Sequence, residues 1–320
     1  MQEIYNSDLY NIYIMEPKEE RFSFSSIVCI PKKINEGATL YVETNNEEDP
    51  AQLNDSAKHT TANVLDMMHG GAELNPVLIP ILPTNGIDGV PYFQQLSAEC
   101  FDNNLPEDKR RIDLQLVKAI EETKREIFNI TDQKINDKIF MHGYSASGVF
   151  AQRFALLHPE LIDEVCVGGA IGSIPMPISE YNGVPLDYPI GINNFKEITG
   201  KDFNFDAYRS IKFRYYVAEL EDCNKSGRRF TEDGEPAPMH DMSYMERSTP
   251  QLVGKNLRNA FGKNMFDRYE NQLELYRDMG LNISAHSPYP NIQHSQIRNL
   301  AYDYINACQE ECGIDKIADK

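Results

Sequence analysis

At 320 residues the chain is long enough for one large α/β domain, and a hydrophobic share of 41%, with 17 tyrosines and 15 phenylalanines, suits a substantial buried core. A formal net charge of −18 argues against nucleic acid or an anionic membrane surface as a partner, because both are held by clustered Lys and Arg. The apolar runs are too short to span a bilayer, the first residues lack the basic and apolar regions of a secretory signal, and the six scattered cysteines read as reduced, so a cytoplasmic protein is expected.

Short β-type runs alternate with amphipathic helical stretches, the pattern of a mainly parallel central sheet with helices on both faces. Residues 11–15 and 22–30 read as an opening strand pair, and 39–43 as a third strand ending in Thr44-Asn45-Asn46. A helix fits 56–68, stopped by Gly70-Gly71. Residues 77–82 form a fourth strand in spite of Pro80, and a long loop carrying Gly86, Gly89, Pro91 and Pro106 follows. A helix over 111–128 sets Leu116, Ile120 and Ile127 against Lys118, Glu121, Glu122 and Arg125. Next come a buried strand over 138–141, the turn His142–Gly148, a helix over 146–158 stopped by Pro159, and a strand over 164–167.

From 171 to 210 the alternation breaks in a segment rich in Pro, Gly and aromatics. A strand over 211–218, a polar stretch over 219–251, a helix over 262–279 and a last strand over 282–287 follow. A short loop over 288–293 and a terminal helix over 294–308 complete the chain. With no repeat and no linker, one domain over 1–320 is expected, with insertions at 171–210 and 219–255.

The strongest local signal is Gly143-x-Ser145-x-Ser147-Gly148 between a predicted strand and a predicted helix. A serine nucleophile on so sharp a bend needs small residues two positions to either side, and Gly143 and Ser147 meet that need. Ser145 then sits at the positive end of the following helix, where negative charge developing in acyl transfer is favoured. Ser147 is the rival nucleophile, but in its register the upstream glycine is replaced by Ser145.

A serine hydroxyl needs a base to take its proton. Of seven histidines, His294 follows the last strand across a short loop and opens the terminal helix, the position of a loop-borne base. His59, His69 and His158 lie on or beside helices, with the surface as their ordinary place. His142 is expected to pack within the turn, His240 lies in the polar insertion, and His286 falls in the last strand. The acid that orients the imidazole should follow the strand ending at Ala218. Glu219, Glu221, Asp222 and Asp233 are available; the usual offset from Ala218 points to Glu221, with Asp222 as the alternative. For the oxyanion, one donor would be the Ala146 N–H and the other Asn45, or Asn46, in the turn after the third strand. Cys308 and Cys312 have no second Cys or His pair and give no metal-site spacing.

Taken with Val42–Asn46 (VETNN), Ile79–Pro83 (IPILP), Gly143–Gly148 (GYSASG), Tyr188–Ile192 (YPIGI) and Asn291–Ser295 (NIQHS), this order resembles the α/β-hydrolase superfamily. It is similar in particular to a bacterial esterase-like branch distantly related to feruloyl esterases and polyhydroxybutyrate depolymerases. The resemblance runs from about Phe22 to Ala307. Two positions depart from it: Ser147 stands where the fifth elbow residue is usually Gly, and the third strand ends in Glu-Thr-Asn-Asn where many lipases have His-Gly. The resemblance implies an α/β-hydrolase fold and a carboxylic ester hydrolase acting on a small-molecule ester, with no metal and no organic cofactor. It also implies that residues 171–210 lie over the active site as a cap. A peptidase or acyltransferase with the same triad, or a non-catalytic binding protein on a hydrolase scaffold, are the competing readings.

Overall fold

The computed structural model describes residues 1–6, 8–35, 37–44, 75–82, 95–220, 229–230, 236–237, 251–263, 265–285 and 289–293. Nine strands make the central sheet: β1 (Gln2–Asn6), β2 (Tyr10–Met15), β3 (Ser26–Pro31), β4 (Leu40–Glu43), β5 (Val77–Pro80), β6 (Ile139–Tyr144), β7 (Ile162–Gly168), β10 (Lys212–Tyr216) and β14 (Asn282–Ala285). Their order is β1-β2-β3-β5-β4-β6-β7-β10-β14. The strands from β5 to β14 run parallel, and β1, β2 and β3 add antiparallel pairs at one edge. Three short ladders lie outside this sheet: β8 (Glu180–Tyr181) with β9 (Val184–Pro185), β12 (Arg229–Phe230) with β13 (Pro236–Ala237), and β11 (Ala218–Leu220) with β15 (Tyr289–Gln293).

The residue patterns explain the layers. β3 (SIVCIP), β4 (LYVE) and β5 (VLIP) are buried at every position, as strands covered on both faces must be. Helix α1 (Ile112–Thr131) buries Ile112, Leu116, Ala119, Ile120, Thr123 and Ile127, an i, i+4, i+7 stripe on one face. Its last turn closes on Asp132, a left-handed residue whose N–H donates to the Phe128 carbonyl. Helix α2 (Ala146–Leu157) is buried at every position from Ser147 to Leu157, which marks a helix enclosed on all sides. Pro159 begins a 3₁₀ turn there in place of a further helical turn.

Helices α3 (Phe195–Thr199) and α4 (Phe205–Ser210) belong to the irregular segment after β7. Its aromatics turn inward: Tyr188, Phe195 and Tyr208 join the main core. Helix α5 (Gln251–Phe261) and helix α6 (Met265–Asp278) complete the regular elements. Buried Arg268 and Gln272 of α6 pin the chain that leaves β7. Arg268 Nε donates to the Gly172 carbonyl at 2.9 Å, and Gln272 Nε2 to the Ile174 carbonyl at 2.8 Å.

Four sequence expectations change. The stretch expected as one helix over 262–279 is preceded by α5, and Gly262, at φ 111, separates two helices. The strand expected from Phe22 begins at Ser26. Residues 289–293, read as part of a short loop, form β15. The exposed β1 has no apolar face and gave no alternation to find. The expected helices over 56–68 and 294–308 lie outside the described residues. Among the described residues no helix is long and apolar enough to cross a membrane.

Candidate active site

β4 is flanked by β5 on one side and β6 on the other, so the succession of parallel strands reverses there. In open α/β sheets the crevice outside the carboxyl ends of the strands at such a reversal is where ligands bind. Glu43 ends β4 at that place with Thr44 next in the chain, and Ser145 follows β6 directly.

Ser145 has φ 58° and ψ −125°, a backbone conformation outside the regions open to L-residues at low energy. Holding it costs on the order of 1–3 kcal/mol, and it persists because neighbours over-determine it. The Ser145 N–H donates to the Gly168 carbonyl at 2.8 Å, and the Ser145 carbonyl accepts from Val149 N–H at 3.0 Å as the first bond of α2. Gly143 is required by contact: a Cβ there would lie 2.3 Å from the Ser147 carbonyl oxygen and 2.6 Å from Thr44 Oγ1. Gly148 passes close to the chain after β7, where an added Cβ would sit 3.0 Å from the Ala170 Cβ.

Ser147 is a clamp in this turn. Its buried hydroxyl lies 3.0 Å from the Tyr144 N–H, which it accepts, and donates to the Tyr144 carbonyl at 2.9 Å. The residue where glycine is usual therefore adds two bonds that tie the fifth elbow position to the second, and its hydroxyl is held by backbone rather than presented as a nucleophile. Thr44 ties the end of β4 to the same turn. Its N–H donates to the His142 carbonyl at 3.0 Å, and its hydroxyl lies 2.9 Å from the carbonyls of both His142 and Ser147.

Half-buried Ser145 is followed by Ala146, whose N–H opens α2 and so has no acceptor within the helix. The other sequence candidates, Asn45, Asn46, Glu221, Asp222 and His294, lie outside the described residues, as do Asp233, His59, His69, His240, His286, Cys308 and Cys312. The strands leading to two of them are described. β11 and β15 pair in parallel with Ala218 opposite Tyr289 and Leu220 opposite Gln293. Leu220 immediately precedes Glu221 in the chain, and Gln293 immediately precedes His294.

Two buried histidines flank the turn and helix. His142, 1% exposed, sits three residues before Ser145, with Nδ1 2.7 Å from Glu43 Oε2 and Nε2 3.1 Å from the Tyr216 hydroxyl. Glu43 is itself buried and accepts a 2.7 Å bond from the Tyr41 hydroxyl. Burial and the adjacent Glu43 charge push the Tyr41 phenol well above its ordinary range, so it stays a donor. His158, expected at the surface, is 4% exposed, because the end of α2 packs under Asp113, whose carboxylate meets His158 Nε2 at 3.0 Å. Glu43 and Tyr216 were not singled out from sequence. The available signal was a lone acid closing one buried strand and a lone histidine near the end of another, a pattern that calls for pairing. Among the described residues no cluster of His, Cys, Asp and Glu could hold a metal ion.

The whole molecule is similar to solved hydrolases. Poly(aspartic acid) hydrolase-1 of Sphingomonas sp. KT-1 superposes with a TM-score of 0.54 at 15% identity, over 94% of this chain and 97% of that one. A ferulic acid esterase gives 0.50 at 12% identity, over 95% and 96%. A siderophore hydrolase of Aspergillus nidulans gives 0.50 at 13% identity, over 95% and 96%. No protein-family model and no curated protein matches the sequence. The fold is that of the α/β-hydrolases, with a mixed, mainly parallel sheet.

Proposed function

We propose that the chain is a serine hydrolase of carboxylic esters. Ser145 Oγ bonds to the acyl carbon, its proton passes to His294, and the alcohol leaves with that proton. Water, deprotonated by the same imidazole, then releases the acid and restores the serine. Glu221 or Asp222 orients the imidazole. The Ala146 N–H, with Asn45 or Asn46, faces the oxyanion. In this reading residues 1–320 are one hydrolase domain, 171–210 its cap and 219–255 a polar insertion.

One observation carries the reading: a serine held at φ 58° and ψ −125° on a strained bend between a buried parallel strand and the N-terminus of an enclosed helix. Strain of that kind concentrates at functional sites, and a bend of this kind after a strand at the switch point supports a nucleophile there. The β11–β15 ladder adds support. The chain enters the Glu221-Asp222 segment and the His294 segment from paired neighbours, the arrangement an acid and its imidazole need. The superposed ferulic acid esterase and siderophore hydrolase make ester chemistry the first class to test.

Incubation with a fluorophosphonate probe is expected to label wild type on Ser145 and leave Ser145→Ala unlabelled. The variant's kcat/KM on p-nitrophenyl esters should fall about 10⁴-fold or more. An unlabelled, folded wild type overturns the proposal, and turnover of aminoacyl amides in preference to the esters redirects it to a peptidase.

A further inference from the structure

Across the carboxyl ends of four strands the register places Glu43 beside His142, Tyr144 beside Gly168, and Gly168 beside Tyr216. Residues paired across a sheet share a face. Gly168 has no side chain, and Tyr216 uses the vacancy. Its ring lies flat across β7, so that a Cβ on Gly168 would sit 1.9 Å from the Tyr216 Cζ. From there the ring stacks on Tyr144, with centroids 6.3 Å apart at 20°, and on His142, 6.1 Å apart at 8°. Its hydroxyl reaches His142 Nε2, and His142 Nδ1 reaches Glu43. In the tautomer that carries its proton on Nδ1, Nδ1–H donates to the carboxylate and Nε2 accepts the Tyr216 hydroxyl.

We infer that Tyr41, Glu43, His142 and Tyr216 form a strap that positions the proposed nucleophile, with Tyr216 and His142 as positioning residues; the inference rests on the ester-hydrolase reading. The strap spans the ends of four strands that this reading requires. β4 leads to the oxyanion turn and β6 to Ser145. β7 supplies the Gly168 carbonyl that holds the Ser145 amide, and β10 leads through Val217 into β11. Backbone bonds join the same ends, from Gly169 N–H to the Tyr216 carbonyl at 3.1 Å and from Thr44 N–H to the His142 carbonyl at 3.0 Å. Four buried polar side chains in series make a stiff connection, because each fixes the next one's rotamer and none can turn to water. None of the four need touch substrate. Their effect is on where Ser145, its oxyanion donors and its base lie relative to one another, a geometry to which turnover is sensitive at the level of an ångström.

The test uses full-length Tyr216→Phe, which keeps the ring over Gly168 and removes one hydroxyl, with Glu43→Gln and the double variant beside it. In Tyr216→Phe, kcat on a p-nitrophenyl ester and the labelling rate at Ser145 should fall about tenfold, while KM changes by less than about twofold. Cutting a strap at any one link releases it, so the double variant should lose little more than the worse single one. Amide exchange at Ser145 and Thr44 should quicken in Tyr216→Phe, with the β2–β3 ladder unchanged. An active wild type whose Tyr216→Phe variant keeps wild-type kcat and exchange overturns the strap. So does a loss in Tyr216→Phe that appears in KM and leaves kcat intact. If wild type neither labels nor turns over, the hydrolase reading fails, and the exchange pattern alone then decides the strap: quickened exchange at the two amides sustains it, unchanged exchange overturns it.

Discussion

His142 and His158 invite comparison, because each is buried against a carboxylate and the two bracket α2. His142 stands three residues before its N-cap, and His158 directly follows its last residue. At the first end every bond runs between sheet strands, and each partner lies within a residue or two of the elbow or of a strand end that feeds the site. At the second end the partners are peripheral. Asp113 belongs to the first turn of α1 and is shared with Arg111 at 2.9 Å, while Glu160, 3.8 Å from His158 Nδ1, also pairs with Lys201 at 3.5 Å. The same pairing thus serves two purposes. One joins strand ends around the proposed nucleophile, and the other docks a helix terminus onto its neighbour.

The largest expected effect would break the first end outright. Gly143→Ala places a Cβ against the Ser147 backbone, so the elbow must open. Stability should fall by about 2–3 kcal/mol in urea melts. Fluorophosphonate labelling should be nearly abolished; retention of both would contradict the steric account of the turn.

Asp113→Asn sharpens the contrast at the other end. Burial alone would raise the Asp113 carboxyl, but hydrogen bonds from His158 and Arg111 outweigh it and hold the group at about 2. Its folded value lies below its unfolded one near 4, so the stabilisation is fully present above about pH 4 and is lost as pH falls toward 2. The Asn variant should be about 2 kcal/mol less stable than wild type at pH 7, and the gap should close between pH 4 and pH 2. Its kcat at pH 7 should match wild type. A drop in turnover at full folding would mean that the two ends are not separable.

Glu160→Gln should have the smallest effect. Burial raises this carboxyl, yet bonds from His158 and its own backbone, with the Lys201 charge, bring it to about 2. The side chain is 47% exposed and solvent screens it, so the change should stay within about 0.5 kcal/mol. A larger loss would make the His158 end a three-membered network rather than a His–Asp pair.

The elbow was legible in the sequence because sterics act over five consecutive residues: Gly143, Ser145 and Ser147 announce the bend whatever lies around them. The stripe of α1 and the buried runs of β3 to β7 were legible for the same reason, a period within one element. The strap was not, since Glu43, His142, Gly168 and Tyr216 come from four strands and meet only through a register that no local pattern encodes. β15 was hidden by Pro288 and Pro290, because its ladder partner β11 lies some seventy positions earlier. Gly262 misled in a different way: a glycine at a helix boundary can open or close a helix, and here it stands between two.

Gly168 and Tyr216 divide between them the volume of a single side chain. A methyl at one position is incompatible with an aromatic ring at the other, so drift at either site is constrained by its opposite across the ladder. Related chains that carry a larger residue at the first position should have surrendered the ring at the second, and the histidine behind it would need a different companion.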